Sequence, residues 1–479
     1  MARGLLDQGP LGVRRAGVLL HITSLPGTGS STGGLGPEAY RFVDFLAAAG
    51  CTVWQVLPLV PTHEEDRSPY NALSAMAGNP ELISRDPVGP DLSGDAQGPV
   101  GPEALTGAQL ATFVSWCEAN GSWLDPYVEF MTLRDLLDRA PWPTWEPGLR
   151  DRDPERVSEV LAPLARQMLA LRFEQWVFAT QWAGLRAYAA QRGVLFFGDL
   201  PIFVSHDSAD VWASRELFEL DGEGQPITVT GCPPDYFAAD GQRWNNPHYD
   251  WAAMAADGFA WWRARIKRQR DLFDLVRIDH FRGFEAAWHV PVEAPTAKEG
   301  RWVEGPGREV LAALVDAAGP GTLVAEDLGV ITPEVDALRR VFGLPGMKVL
   351  QFAFNGDADN PYLPERHGEQ SVVYTGTHDN DTTVGWWAEV DEATRERVRA
   401  RLPVAAEPMP WALIRLAMSS TARLAVVPAQ DLLGLDSRSR MNTPGTDEGN
   451  WGWQAQGGFD RALAERVRTL AAEHARLAT

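Results

Sequence analysis

The stretch DLVRIDHFRGF places Arg277, Asp279, His280 and Arg282 at the end of an apolar run. Removing that many charges from water is costly, so a buried strand keeps them only where they are paired or used. Arg277 and Asp279 are two positions apart, and on a strand both side chains point to one face. A guanidinium there keeps a carboxylate ionised, as a nucleophile requires. A second carboxylate, Glu326, follows the apolar approach Leu323-Val324-Ala325 with no arginine close in sequence. Burial favours its protonated form, as a general acid requires. Two carboxyl groups held in opposite protonation states suit glycoside chemistry. One attacks an anomeric carbon, while the other protonates the leaving oxygen and later activates the incoming hydroxyl.

Each of these residues alone has a plainer reading. Arg277-x-Asp279 fits a buried ion pair, Glu326 fits a cap on the following turn, and His378 fits a satisfied core histidine. The argument for a site comes from their joint placement. Asp199 ends one apolar run, Asp279 and Glu326 two others, and His378-Asp379-Asn380-Asp381 a further one.

The elements that must position them are eight apolar runs, at 17–22, 51–59, 193–204, 275–281, 322–328, 347–354, 371–379 and 423–431. They are continuous rather than alternating, which is the pattern of strands buried on both faces. Amphipathic stretches lie between several of them. Residues 309–318 have helical spacing, and 333–343 begins at a proline and stops at a glycine. Strands alternating with helices predict a parallel sheet, and eight of them predict an α/β fold closed as a (β/α)8 TIM barrel. Functional residues of such barrels gather at the carboxyl ends of the strands, where these charges fall. The whole chain, 1–479, then reads as one catalytic barrel with two insertions. Residues 80–175 begin with the Gly/Pro-rich DPVGPDLSGDAQGPVGPEALTG and turn helical over 109–139, as an inserted subdomain. Residues 205–272 contain CPPDYFAADGQRWNNPHY, whose turn residues and aromatics suit a substrate-binding loop region.

Composition narrows the function. A formal net charge of −21 argues against nucleic acid as a partner. No stretch reaches the roughly 18 apolar residues of a membrane span, and the first residues carry no secretory pattern, so a cytoplasmic location is the default expectation. Cys51, Cys117 and Cys232 are far apart and odd in number, which predicts neither a disulfide framework nor a zinc site. His63-Glu64-Glu65-Asp66 reads as a solvated polar loop rather than a metal cluster. A phosphate loop is lacking, and the glycines of PGTGSSTGGLG do not have dinucleotide spacing, so no cofactor is expected.

In order along the chain, RRAGVLLHITSLPG, SPYNALSAMAGNP, FFGDLPIFVSHDSADVW, GCPPDYFAADGQRWNNPHY, VRIDHFRGF, VAEDLGVITPEV, GMKVLQFAF, YTGTHDNDT, PAQDLLGLDSRSRMNTPGT and NWGW resemble the amylomaltase family of 4-α-glucanotransferases, which is related to the α-amylases. The resemblance implies a barrel with insertions and no separate C-terminal β-sandwich domain. It implies Asp279 as nucleophile, Glu326 as general acid/base and Asp379 as stabiliser of the oxocarbenium-like transition state. It places Arg277, His378 and Asp199 around the reacting sugar, and Ser68, Tyr70, Gln242, Trp244 and Asn442 along the sugar subsites. No metal is called for, and the implied substrates are α-1,4-glucans such as maltooligosaccharides.

Three positions depart from the family pattern. Asn245 stands where a glycine is usual, the segment His63–Arg67 lacks a tyrosine common there, and Gln454 stands where arginine is common. The expected activity is retaining transfer of an α-1,4-glucan segment to the 4-hydroxyl of a second glucan or of glucose, through a covalent glycosyl-enzyme. An α-amylase-like hydrolase would use the same carboxylates, and a glucan-binding protein with a dead site is the remaining alternative.

Overall fold

Each of the eight apolar runs overlaps a strand. In a computed structural model describing residues 7–27, 33–85, 101–234, 239–404, 406–446 and 448–477, the strands are β1 (Arg15–Leu19), β2 (Val53–Gln55), β3 (Leu195–Pro201), β4 (Leu275–Asp279), β5 (Leu323–Ala325), β6 (Gly346–Val349), β7 (Ser371–Tyr374) and β8 (Leu424–Pro428). Every pairing in this sheet is parallel, and each strand lies beside its neighbours in sequence. β8 pairs with β1, Val426 opposite Gly17. The Ala325 N–H donates to the Pro345 carbonyl at 2.9 Å, joining β5 to the segment entering β6. The sheet thereby closes as a barrel.

Alternate residues along each strand enter two separate hydrophobic clusters. Leu19, Val53, Phe197, Leu275, Val324, Val372, Tyr374 and Val426 belong to the one inside the barrel. Val18, Trp54, Phe196, Val276, Ile278, Val373 and Val427 belong to the other, which packs under the helices. This two-residue period decides which polar side chains face the barrel mouth. Counting from Leu275, Arg277 and Asp279 fall on the inner face. Counting from Phe197 and Val324, so do Asp199 and Glu326. Gly198, between Phe197 and Asp199, faces outward, where a Cβ would lie 2.1 Å from the Phe273 ring.

The helices predicted from spacing are present at Arg308–Ala318 and Pro333–Val341. Thr332 caps the second by accepting from the Val335 N–H. In the interval 80–175, the helix Gly107–Leu136 starts at a Thr106/Gln109 capping box. It lies against the helix Ala165–Ala190, Phe113 touching Phe173 and Trp176. That second helix runs past residue 175 to the barrel wall, where Trp182 meets Phe196 at 4.6 Å. Residues 86–100, most of the Gly/Pro-rich stretch, lie outside the described residues. After β8 the chain ends its described part in the helix Arg461–Glu473, packed on the helix Pro37–Ala49. Among the described residues there is no C-terminal sandwich.

The interval 205–272 is more regular than its turn-rich composition indicates. Thr228–Cys232 pairs antiparallel with Gln242–Pro247 on one side and Ala286–Pro291 on the other, and Arg301–Glu304 completes a four-stranded sheet. Two of the four strands, Ala286–Pro291 and Arg301–Glu304, come from beyond β4, so no local pattern announces the whole sheet. Residues 235–238, in the same interval, lie outside the described residues. Asn245 has φ 61°, a left-handed conformation that glycine adopts freely and asparagine tolerates. Asn245→Gly is therefore expected to melt close to the parent. Asn245→Val is expected to lose about 1–2 kcal/mol in urea unfolding, the cost of a left-handed residue with a crowded Cβ.

Candidate active site

Arg277 is the electrostatic centre of the barrel mouth. β3 and β4 are paired so that Asp199 stands opposite Arg277. One guanidinium nitrogen donates to both Asp199 oxygens at 2.7 Å, and the other lies 2.8 Å from Asp279 Oδ1. Asp199 is fully buried and Arg277 nearly so, while the Asp279 side chain keeps 26% of its surface exposed. Burial pulls the Arg277 pKa down, but Asp199 and Asp279 outweigh it and hold the group well above its ordinary value. A permanent cation thus bridges a sealed carboxylate and an accessible one. The Tyr70 hydroxyl donates to Asp199 Oδ2 at 2.8 Å, so Asp199 is saturated from two sides.

Glu326 sits at the end of β5 in a different environment. Its pKa is pushed up to about 8, first by burial; Arg277 opposes this and the Asp279 charge reinforces it. Both of its oxygens accept backbone N–H groups at 2.7 Å, from His280 and from Leu328. These two bonds favour the ionised form, yet loss of water dominates. The His280 bond follows from a backbone in the left-handed region, φ 49° and ψ 45°, directly after Asp279. The turn that ends β4 therefore ties the segment carrying Asp279 to the Glu326 carboxylate. The plainer readings coexist with the site: Arg277 is a buried ion-pair residue, and Glu326 does cap the turn after it.

Asp379 lies on the loop after β7 and is held from several directions. Asn442 donates to its Oδ1 at 2.6 Å, and His378 Nε2 lies 3.3 Å from the same oxygen. Arg440 donates to the Asp379 carbonyl at 3.1 Å. The His378 ring stacks on Tyr70 with centroids 5.2 Å apart and planes 10° apart, and Trp451 packs against both. Tyr70 thus touches Asp199 through its hydroxyl and His378 through its face, linking β3 to the loop after β7.

The remaining predicted residues flank this centre. Trp244, on the strand Gln242–Pro247, meets the His280 ring edge-on at 4.7 Å, and its indole N–H donates to Gln242 at 3.2 Å. Ser68 is placed only through its own turn, accepting from the Tyr70 N–H at 3.3 Å. Among the described residues no acidic, histidine or cysteine cluster could hold a metal ion. The polar segment at 63–66 engages neighbours instead, Glu64 pairing with Arg139 and Asp66 accepting from Asn71. Gln454 donates to the Thr23 carbonyl at 3.1 Å. Among the described residues no helix is long and apolar enough to cross a membrane.

Sequence reasoning left His280 and Arg282 without roles and did not single out Arg440 or Trp451. His280 contributes its backbone N–H to Glu326, which side-chain chemistry does not reveal. Arg282 stacks its guanidinium over Trp302 at 3.6 Å and donates to the Val330 carbonyl, bracing the loop beyond β5. Arg440 and Trp451 stand inside the quoted motifs RMNTPGT and NWGW or beside them, and only their distant partners distinguish them.

The 4-alpha-glucanotransferase family model matches residues 20–106 and 96–460. The 4-alpha-glucanotransferase of Thermus thermophilus is 45% identical over 499 residues, covering 95% of this chain and 99% of its own. That of Synechocystis is 46% identical, covering 92% and 94%. Among solved structures, amylomaltase from Streptococcus agalactiae in complex with acarbose superposes with a TM-score of 0.89 at 31% identity, over 97% of this chain and 99% of that one.

Proposed function

The chain belongs to the 4-α-glucanotransferase family and is an amylomaltase-type transferase acting on α-1,4-glucans, and on that premise we propose that Asp279, Glu326 and Asp379 carry out its reaction. The observation that supports this assignment is the contrast across the barrel mouth. Asp279 is accessible and paired with Arg277, whereas Glu326 is buried and its pKa is raised to about 8.

In the first half-reaction Glu326, protonated, gives its proton to the glycosidic oxygen as Asp279 attacks the anomeric carbon from the opposite side. The shortened glucan leaves with a new 4-hydroxyl, and the donor segment stays bonded to Asp279. Asp379 holds ring hydroxyls as positive charge develops on the sugar, while the buried Arg277–Asp199 pair keeps Arg277 fixed beside Asp279. In the second half-reaction Glu326, now ionised, takes the proton from the acceptor's 4-hydroxyl. That oxygen attacks the anomeric carbon and displaces Asp279. Two inversions give net retention. Trp244, on the strand Gln242–Pro247, offers apolar surface to an acceptor sugar, and an acceptor seated there keeps water from the intermediate.

Maltotriose alone is the simplest test. Incubation should yield a ladder of longer maltooligosaccharides together with glucose. Exclusive formation of glucose and maltose would show that water is the acceptor and would replace this reading with a hydrolase. Adding glucose as acceptor should accelerate turnover of long donors, which a hydrolase would not show.

A further inference from the structure

We propose that Asp431 is a positioning residue that sets the reach of the catalytic loop after β7. It lies outside the barrel mouth, on the short helix Ala429–Leu432 that follows β8, and is 1% exposed. Its carboxylate touches both stems of the loop that carries His378 and Asp379. Thr375, directly after β7, donates its hydroxyl to Asp431 Oδ2 at 2.6 Å. Thr383, the first residue of the helix Thr383–Glu389, donates its hydroxyl to the same oxygen at 2.6 Å and its N–H to Oδ1 at 2.7 Å. One buried group therefore closes the base of the loop Thr375–Thr383.

The rest of the loop is braced on that base. The Gln351 amide donates to the Asp381 carbonyl and the Ser437 hydroxyl to the Asp381 carboxylate, at 2.8 and 2.7 Å. The Thr377 N–H and hydroxyl both engage Asn380 Oδ1 at 2.9 Å. These bonds fix the loop's shape, whereas the Asp431 bonds fix where it is anchored. A carboxylate buried in this way, served among the described residues by two hydroxyls and one backbone N–H, is an expensive way to hold a loop. Three short bonds from one rigid acceptor give what an apolar contact does not: a defined distance between β7 and the helix after it. Small displacements of a group that stabilises a transition state are costly in rate, so the staple acts on Asp379 without touching substrate.

This inference rests on the role given to Asp379 above. The test measures kcat and KM for maltotriose disproportionation, with thermal melting, in Thr383→Val, Thr383→Ser and Asp431→Asn of the full chain. Thr383→Val keeps the shape and the backbone bond but removes one hydroxyl donor, and Thr383→Ser restores it. Thr383→Val and Asp431→Asn should lower kcat about 10- to 100-fold with KM changed by less than about threefold, while Thr383→Ser stays near the parent. In an Asp379→Asn background, adding Thr383→Val should lower kcat no further. Equal losses in the valine and serine variants, or a lowered melting temperature with kcat per folded molecule unchanged, would overturn the proposal. Full activity of Asp379→Asn alone would overturn the reading beneath it, a separate result because it involves neither Thr383 nor Asp431.

Discussion

Asp279→Asn is expected to lower the transfer rate on maltotriose by at least about 10⁴-fold, or about 5.5 kcal/mol of transition-state stabilisation. The substitution changes one atom and keeps an oxygen that can accept from Arg277. In the proposed mechanism it removes the charge that attacks the anomeric carbon, and an amide is too weak a nucleophile to replace it. Arg277 keeps its two bonds to Asp199, so the buried ion pair persists and the barrel should melt near the parent temperature. Under the proposed reading maltotriose binding, followed by calorimetry, should survive, because His378 and Trp244 are untouched. A variant that still transfers within about tenfold of the parent would remove Asp279 from the nucleophile's role.

Glu326→Gln should cost about 10²–10⁴-fold on maltotriose, the usual contribution of a positioned proton donor. The loss should depend on the leaving group. A maltosyl fluoride donor needs no proton on departure, so its first half-reaction should be nearly spared, and transfer should stall at the second half-reaction, where the acceptor hydroxyl must lose its proton. Equal losses with both donors would assign the proton to another group. The pH dependence has a definite sign. In the proposed mechanism Glu326 must be protonated to begin the first half-reaction, and its pKa is pushed up to about 8 by burial. kcat/KM should therefore be maintained below that value and fall as pH rises through it. In Glu326→Gln that descending limb should vanish. A parent whose kcat/KM falls near the ordinary glutamate pKa would contradict the buried, protonated acid.

Much of this was legible in the chain itself. Continuous apolar runs alternating with helical stretches specify a closed parallel barrel, because strands buried on two faces carry apolar residues at every position. The spacing of Arg277 and Asp279 places them on one face, and charge at the ends of the runs points to the barrel mouth. The departure at Asn245 also keeps its meaning, since the position demands the left-handed backbone that glycine usually supplies.

What the sequence left open was which of several neighbouring carboxylates reach the site. Glu326 and Asp327 are adjacent, but one follows the inner parity of β5 and the other turns outward. Asp327 lies 3.2 Å from Arg339 on an outer helix and accepts from the Met347 N–H at 2.6 Å. Asp381, two residues past Asp379, is taken up by Ser437. The four-stranded sheet carrying Trp244 joins segments on either side of β4, so its strands had no local signature. The partners of Asp379 come from Asn442 and Arg440, some sixty residues away. Composition and period determined that polar groups gather at the mouth of a barrel. The protonation states and contacts of those groups depend on how much water each loses and which distant donor meets it, and only the packed chain decides that.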